Sequence, residues 1–317
     1  MKPMIELVNV NKAYDEQYAL ENLNLTINDG ELFVLVGPSG SGKTTLLKTI
    51  NRLIVPTSGQ VKIDEQDVAS VDLQLLRRRI GYVLQTGALF PNMTVEENAS
   101  VQLDNLGWST DKKHARVAQL MAQVGLDPDA FLSRMPSELS GGEAQRVGIV
   151  RALASQPKLV LMDEPFSALD PVSRRQLQEI VLDLHRDLDT TIVFVTHDMH
   201  EALRLADRIG VVYNGQLQQV GTPENILTEP ANAFVGNFFA DEQQTNQLLG
   251  QVIAAGFGRP KEAEDIGLTM SKGQSLFEMA ATLNESGKHQ IIVGNMVLTD
   301  QDLIAYMASL ESGGDRH

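Results

Sequence analysis

The sequence has no cysteine among its 317 residues, which excludes disulfides, thiolate metal sites and a cysteine nucleophile and fits a reducing compartment. It also lacks any run approaching the roughly 20 apolar residues that a bilayer-crossing helix needs. The opening stretch MKPMIELVNV has none of the apolar core of a signal peptide. Positive charge is in short supply. With 26 Lys and Arg against 41 Asp and Glu, the formal charge of -15 repels phosphate backbones over most of the surface, which disfavours a general nucleic-acid binder but leaves a local basic groove possible. Internal repeats and low-complexity tracts are missing too. The expectation is a cytoplasmic chain that reaches a membrane only through a partner.

Hydrophobic residues at 43% and charged residues at 21% are ordinary for a folded chain, and the length exceeds one usual domain, so a large domain and a smaller one are expected. Short apolar runs alternate with helical patterns, as in a largely parallel α/β sheet: ELFVLVG (31–37), KLVLMDE (158–164) and TIVFVTHD (191–198). Each ends in polar residues, at the carboxyl end where open α/β sheets bind ligands. IELVNVNKAY and LNLTIN read as antiparallel strands of a side sheet. Residues 86–150, and above all Thr94 to Val124, read as a helical insertion. GVVYNGQLQQVG is a hairpin turning at Asn214-Gly215. NFFADEQQTNQLLG reads as a boundary helix that divides a domain over 1–240 from a small α/β module over 241–317. In that module Leu276, Met279, Ala280 and Leu283 share a helical face ending at Gly287, followed by the strand HQIIVG and the capped helix TDQDLIAYMASL.

GPSGSGKTT fits GxxxxGK[ST] and stands between a buried strand and a helix. Backbone amides of Gly37, Pro38, Ser39, Gly40, Ser41, Gly42, Lys43, Thr44 and Thr45 (Pro38 excepted, having no N–H) are expected to wrap the phosphates of ATP, with Lys43 on the β and γ oxygens and the Thr44 hydroxyl on Mg²⁺. In LVLMDEP, Asp163 would hold Mg²⁺ through water, and Glu164 would point at the water attacking the γ-phosphate. His197, closing a third buried strand, would contact the γ-phosphate and fix both the water and Glu164. Gln85, leaving a strand in GYVLQTGALFP, can reach Mg²⁺ or the attacking water. Tyr14 offers a ring on which adenine can stack. A second phosphate cradle lies in ELSGGEAQRV, where Ser140 can cap a helix and Gly141 and Gly142 allow close backbone approach.

In order, GPSGSGKTT, VLQTG, LSGGEAQRV, LVLMDEP, SALD and VTHD resemble the motifs of the ATP-binding cassette (ABC) ATPases over roughly the first 240 residues. The resemblance implies a P-loop fold with a RecA-like parallel core, an antiparallel side sheet and a helical insertion. It also implies that Ser140, Gly141 and Gly142 of one subunit close on the nucleotide held by another, and that Asp170 touches the opposite subunit. Glu143 stands where many members have glutamine, a common variant. With one set of motifs, the simplest partner is a second copy of the chain, a two-fold homodimer. In transport members, the neighbourhood of Leu89, Phe90 and Met93 receives a helix of the membrane subunit; the alternative is that these side chains pack within the insertion.

INRLIVPTSGQV, RRRIGYVLQTGALFPNMTVEEN and LMDEPFSALDPVSRRQLQ look like the ATPases of importers for glycine betaine, carnitine and choline. These work with permease subunits and an extracytoplasmic solute-binding protein or domain, from the cytoplasmic face of the membrane. The tail is similar to a single CBS module, with weak agreement at NMVLTD. It could bind a regulatory nucleotide, sense ionic strength or serve only for dimerisation. The alternatives are an amino-acid importer of the methionine type and, more remotely, a nucleic-acid or translation ABC protein.

Overall fold

A computed structural model describes residues 2–15, 17–85, 88–240, 249–262, 265, 268–270 and 276–313. Two compact units emerge, Met1–Val235 and Gly236–His317.

The first unit is built on two sheets. Strands β3 (Leu32–Val36), β7 (Leu159–Asp163) and β8 (Thr191–Thr196) are buried at every position, which explains their unbroken apolar sequences: helices cover both faces of a parallel sheet. With β6 (Ile80–Val83), β9 (Arg208–Tyr213) and β10 (Gln216–Gly221) they form a six-stranded sheet of order β10-β9-β3-β8-β7-β6. All its pairings are parallel except the β9–β10 hairpin, whose turn residues Asn214 and Gly215 take φ of 48° and 76°. The side sheet has order β2-β1-β4-β5, from β1 (Pro3–Tyr14), β2 (Gln17–Asn28), β4 (Ser58–Ile63) and β5 (Gln66–Asp67), all antiparallel.

Helix α1 (Lys43–Ile50) follows β3, and α2 (Leu73–Arg78) precedes β6. The expected insertion contains α3 (Val95–Asn105), α4 (Thr110–Gln123), α5 (Pro128–Phe131) and α6 (Gly141–Leu153). Helix α7 (Pro171–Leu188) has Asp170 as N-cap and proline in its first turn, and buries Leu177, Val181 and Leu184 along one stripe. Helices α8 (Met199–Leu205), α9 (Pro223–Thr228) and α10 (Ala233–Phe238) complete the series. The boundary helix expected across NFFADEQQTNQLLG falls partly on 241–248, outside the described residues.

The second unit has its own core, in which Leu249, Met279, Leu283, Ile291 and Leu298 are buried. Its sheet has order β11-β14-β13-β12, from β11 (Arg259–Pro260), β12 (Leu268–Met270), β13 (Gln290–Val293) and β14 (Met296–Thr299). Helices over Leu276–Ser286 and Asp300–Gly313 follow β12 and β14. Ala280 is only half-buried on its helix, and Gly287 ends that helix at φ 63°. Thr299 caps the last helix: its hydroxyl accepts from Asp302 N at 3.2 Å, and Asp302 Oδ2 accepts from Thr299 N at 2.8 Å.

Candidate active site

The loop from Gly37 to Gly42 leaves the buried strand β3 and turns into α1. Two glycines are dictated by close approach. A Cβ on Gly37 would lie 2.1 Å from the Val212 carbonyl oxygen, and one on Gly42, at φ 104°, would lie 2.4 Å from the Ala19 carbonyl oxygen. The β9–β10 turn clamps the loop from outside: Gly215 N donates to Ser41 O, and Glu21 N to Gly215 O, each at 2.9 Å. Pro38 is half-buried, while Ser39 and Gly40 are exposed. Helix α1 starts without a side-chain cap and has no acid in its first turn, so its amide N–H groups are left for an anion.

Lys43 is 5% exposed and donates to the carbonyls of Gly37 at 2.7 Å and Pro38 at 2.8 Å, so its ammonium rests on the cradle's own backbone. Burial lowers its pKa, while the charges of Glu164 and Asp163 pull the other way. A phosphate here would supply the negative charge that burial withholds. Thr45, next to Thr44, is half-buried.

Thr44 Oγ1 donates to Asp163 Oδ1 at 2.9 Å, bringing the two expected metal-site oxygens together at the ends of β7 and the loop. Lys48 stands 3.6 Å from Asp163 Oδ2. The Tyr82 hydroxyl is buried without a hydrogen-bond partner; burial, then the charge of Asp163, pushes its pKa up. Among the described residues no cluster of three or more acidic or histidine side chains could hold a metal by itself. The hard oxygens of Thr44 and Asp163 suit Mg²⁺, which keeps several waters and shares its shell with substrate phosphates. These residues therefore fit ATP with Mg²⁺.

Glu164 is held at φ 47°, an uncommon left-handed conformation for a residue with a side chain. Its amide donates to Val195 O at 3.1 Å, tying the end of β7 to β8. Its Oε2 accepts from Gln85 Nε2 at 3.3 Å and lies 3.3 Å from His197 Nδ1. Gln85, Glu164 and His197, read from three separate strands, thus meet at one carboxylate. Two residues escaped the sequence reading. Ser167 accepts from Gln85 at 3.4 Å and donates to Glu164 O at 3.1 Å. Lys48 sits one helical turn beyond Thr44, a spacing that could have marked it as a neighbour of the metal-site oxygens.

The other expected residues lie apart from this cluster. Tyr14 is 50% exposed near the end of the β1–β2 hairpin, with the Lys12 ammonium 4.8 Å from its ring centroid. Ser140 and Glu143 close a reciprocal capping box: Glu143 N donates to Ser140 Oγ at 3.3 Å, and Ser140 N donates to Glu143 Oε2 at 2.7 Å. No hydrogen bond or ion pair joins residues 140–143 to residues 37–45 among the described residues. A Cβ on Gly141 would meet nothing within 4 Å, and one on Gly142 nothing closer than 3.7 Å. Packing within the chain therefore gives no reason for glycine at either place. Asp170 is exposed and caps α7, accepting from Val172 N at 3.0 Å and Ser173 N at 3.1 Å. Phe90 is 46% exposed, and Leu89 and Met93 are half-buried; Thr86 and Gly87 of the same loop lie outside the described residues.

Cradle, paired metal-site oxygens and carboxylate cluster, on a parallel sheet with a helical insertion and an antiparallel side sheet, define the P-loop ATP-binding cassette. The chain belongs to the ABC transporter family, whose profile matches residues 20–167. An osmoprotectant import ATP-binding protein of Salmonella typhimurium is 46% identical over 258 residues, covering 80% of this chain and 67% of that protein. A glycine betaine/carnitine/choline transport ATP-binding protein of Bacillus subtilis is 48% identical over 241 residues, 76% of this chain and 63% of its own length. The chain thus spans about two thirds of the length of these two relatives. A glycine betaine uptake system ATP-binding protein of Escherichia coli is 41% identical over 293 residues, 92% of this chain and 94% of that one. Among solved structures, a dimeric ATP-binding cassette in a post-hydrolysis state with ADP and Pi superposes at TM-score 0.64, with 34% identity, over 69% of this chain and 99% of that chain.

Proposed function

We propose that this chain binds ATP with Mg²⁺ and hydrolyses ATP as one half of a head-to-tail homodimer at the cytoplasmic face of a membrane. It would drive uptake of a quaternary ammonium osmoprotectant of the glycine betaine, carnitine or choline type. The path would be formed by separate permease subunits, supplied by an extracytoplasmic solute-binding protein. The observation that carries the reading is the meeting of Gln85 and His197 on Glu164 beside the Thr44–Asp163 pair.

In this reading the amides of Gly37 and Ser39–Thr45 bind the phosphates, Lys43 exchanges its loop carbonyls for phosphate oxygens, and Tyr14 stacks on the adenine. Thr44, Asp163 and Gln85 would hold Mg²⁺, which when bound neutralises phosphate charge. Glu164 takes the proton of the attacking water, His197 fixes that carboxylate against the γ-phosphate, and Gln85 orients the water. Ser140, Gly141, Gly142 and Glu143 of the second copy would cover the nucleotide, and Asp170 would meet that copy. The open space at Gly141, and the room at Gly142 for a Cβ at ordinary contact distance, support this, since glycine there serves an approach from outside the chain. Among the described residues no helix is long and apolar enough to cross a membrane, in keeping with a need for separate permeases.

The cargo rests on the names of the three relatives above, which concern osmoprotectants, glycine betaine, carnitine or choline; on that ground the amino-acid alternative is set aside. We further propose a nucleotide-binding domain over 1–240 and a CBS-like module over 241–317 that serves regulation, by a nucleotide or by ionic strength, or dimerisation. The order strand, helix, strand, strand, helix from Leu268 onward supports it.

The test is Glu164→Gln. Loss of a general base should lower turnover by about 100-fold or more, while ATP should trap a dimer visible by gel filtration. Turnover at the wild-type rate would refute the role given to Glu164.

A further inference from the structure

Arg174 sits on α7, one turn after the Asp170 cap, and its guanidinium faces three groups. Nη2 donates to the Leu169 carbonyl at 3.3 Å, within the loop that runs from Glu164 to Asp170. Nη1 stands 3.5 Å from Asp198 Oδ2, on the residue that follows His197. Nε is buried without a hydrogen-bond partner, 4.0 Å from Glu201 Oε1 in the first turn of α8.

Glu201 is itself 5% exposed, an unusual place for a carboxylate. It accepts from Thr196 Oγ1 at 2.6 Å and from Gln178 Nε2 at 3.4 Å, and the Thr196 hydroxyl in turn accepts from Asp198 N at 3.0 Å. Burial raises the Glu201 carboxyl, while Thr196 and the Arg174 charge oppose that shift. His197 is therefore flanked on both sides, at Thr196 and Asp198, by residues of one network centred on the buried Glu201; Arg174 is the cation that reaches Asp198 and Glu201, while Arg204 joins it through Gln178 at 3.3 Å.

We propose that Arg174 is a positioning residue for His197. Its planar fork ties the Glu164–Asp170 loop to the loop that carries the imidazole, so the 3.3 Å separation between His197 and Glu164 is set from behind. The same fork passes a shift at Asp170 on to His197. The partnerless Nε shows which way the network can move: a closing of α7 on α8 by about 1 Å would bring it within hydrogen-bond range of Glu201 and remove the penalty of a buried, unsatisfied donor. The inference rests on the hydrolytic reading of Glu164 and His197 given above.

Two measurements test it on the full chain. In the nucleotide-free protein with ¹³C-labelled histidine, the His197 ring signal, assigned by its loss in His197→Ala, should move or broaden in Arg174→Met. The signals of His114 and His289, on other elements, should stay in place. Methionine keeps the apolar stem and so limits any folding defect, and matching melting curves would confirm this. In steady-state ATP hydrolysis, Arg174→Met should lower kcat by about 10- to 100-fold with KM for ATP changed by less than about 3-fold, as expected for lost alignment rather than lost binding. Arg174→Lys should recover part of the rate, and the Arg174→Met/His197→Ala double variant should be no slower than His197→Ala alone. An unmoved His197 signal would overturn the proposal, as would an unchanged kcat or a double variant whose loss is the product of the single losses. Should the wild-type protein not hydrolyse ATP, the functional reading fails, and the histidine spectrum still decides the role of Arg174.

Discussion

Helices α1 and α6 both begin beside glycine, and their N-termini are finished in opposite ways. Helix α1 has Gly42 at its cap position, no side-chain cap and no acid in the first turn. Helix α6 has Ser140 at the cap position and Glu143 closing a reciprocal box over the first amides. Forgoing a cap costs about 1 kcal/mol, so α1 gives up local stability to leave its amides free for an anion. In helix α6 the box occupies the Ser140 and Glu143 amides, and an incoming phosphate meets a carboxylate there. The glycines differ in the same sense. Gly42 is required by the Ala19 carbonyl 2.4 Å from where its Cβ would be, whereas Gly141 faces open space. One N-terminus is shaped by the chain's own backbone and the other is left open beyond what the chain needs.

The sharpest way to break the comparison is to place alanine at each glycine. Gly42→Ala combines a left-handed backbone with a clash against main chain, and should destabilise the nucleotide-free protein by about 2–4 kcal/mol. Its melting temperature should drop by roughly 5–15 °C. Gly141→Ala should leave melting unchanged or slightly raised, because alanine is up to about 1 kcal/mol better than glycine in a helix. In the Glu164→Gln background it should nevertheless weaken ATP-driven dimer formation on the order of 10-fold, read by sedimentation across a protein dilution series. If Gly141→Ala dimerises as well as its parent, the open space at α6 serves no partner and the contrast loses its meaning.

The sequence made much of this legible, for identifiable reasons. The cradle, Asp163, Glu164, His197 and Gln85 stand at ends of strands or in glycine-rich turns, where pattern and motif coincide. The hairpin at Asn214-Gly215 follows from turn chemistry alone. Other contacts come from pairs far apart in the chain. That Lys43 rests on the Gly37 and Pro38 carbonyls, that Ser167 bridges Gln85 and Glu164, and that Arg174 reaches Asp198 all depend on how loops from different strands meet, which no local spacing encodes. The Ser140–Glu143 box is the reverse case. Its spacing, serine followed three residues later by glutamate, was open to view in ELSGGEAQRV, yet only the cap was read and not its reciprocal closure.

A smaller effect should follow from Glu143→Gln. Glutamine can also close a capping box, so the geometry persists while the negative charge is lost. Removing that charge from the N-terminal turn should cost about 0.3–1 kcal/mol of stability and, with a repelling carboxylate gone, tighten ATP-driven dimerisation by about 2- to 5-fold. The two readouts should therefore move in opposite directions. A variant that lost both stability and dimer affinity would show that the carboxylate supports nucleotide closure rather than competing with it.

The smallest effect is the pH dependence of that stability difference. The Ser140 backbone N–H, then its hydroxyl, hold the Glu143 carboxyl below its ordinary value of 4.5. The folded state therefore prefers the ionised form, and the contribution of Glu143 is complete above about pH 4.5 and lost as pH falls through the lower folded-state value. The melting-temperature gap between the wild-type protein and Glu143→Gln should be flat from about pH 8 to about pH 6, then narrow below about pH 4.5 as the wild-type carboxylate takes up its proton. Because both proteins share every other titrating group, acid unfolding of the rest of the chain cancels in the difference. A gap that persisted after Glu143 is protonated would mean that the box stabilises α6 through its shape, and the electrostatic half of the contrast with α1 would fall.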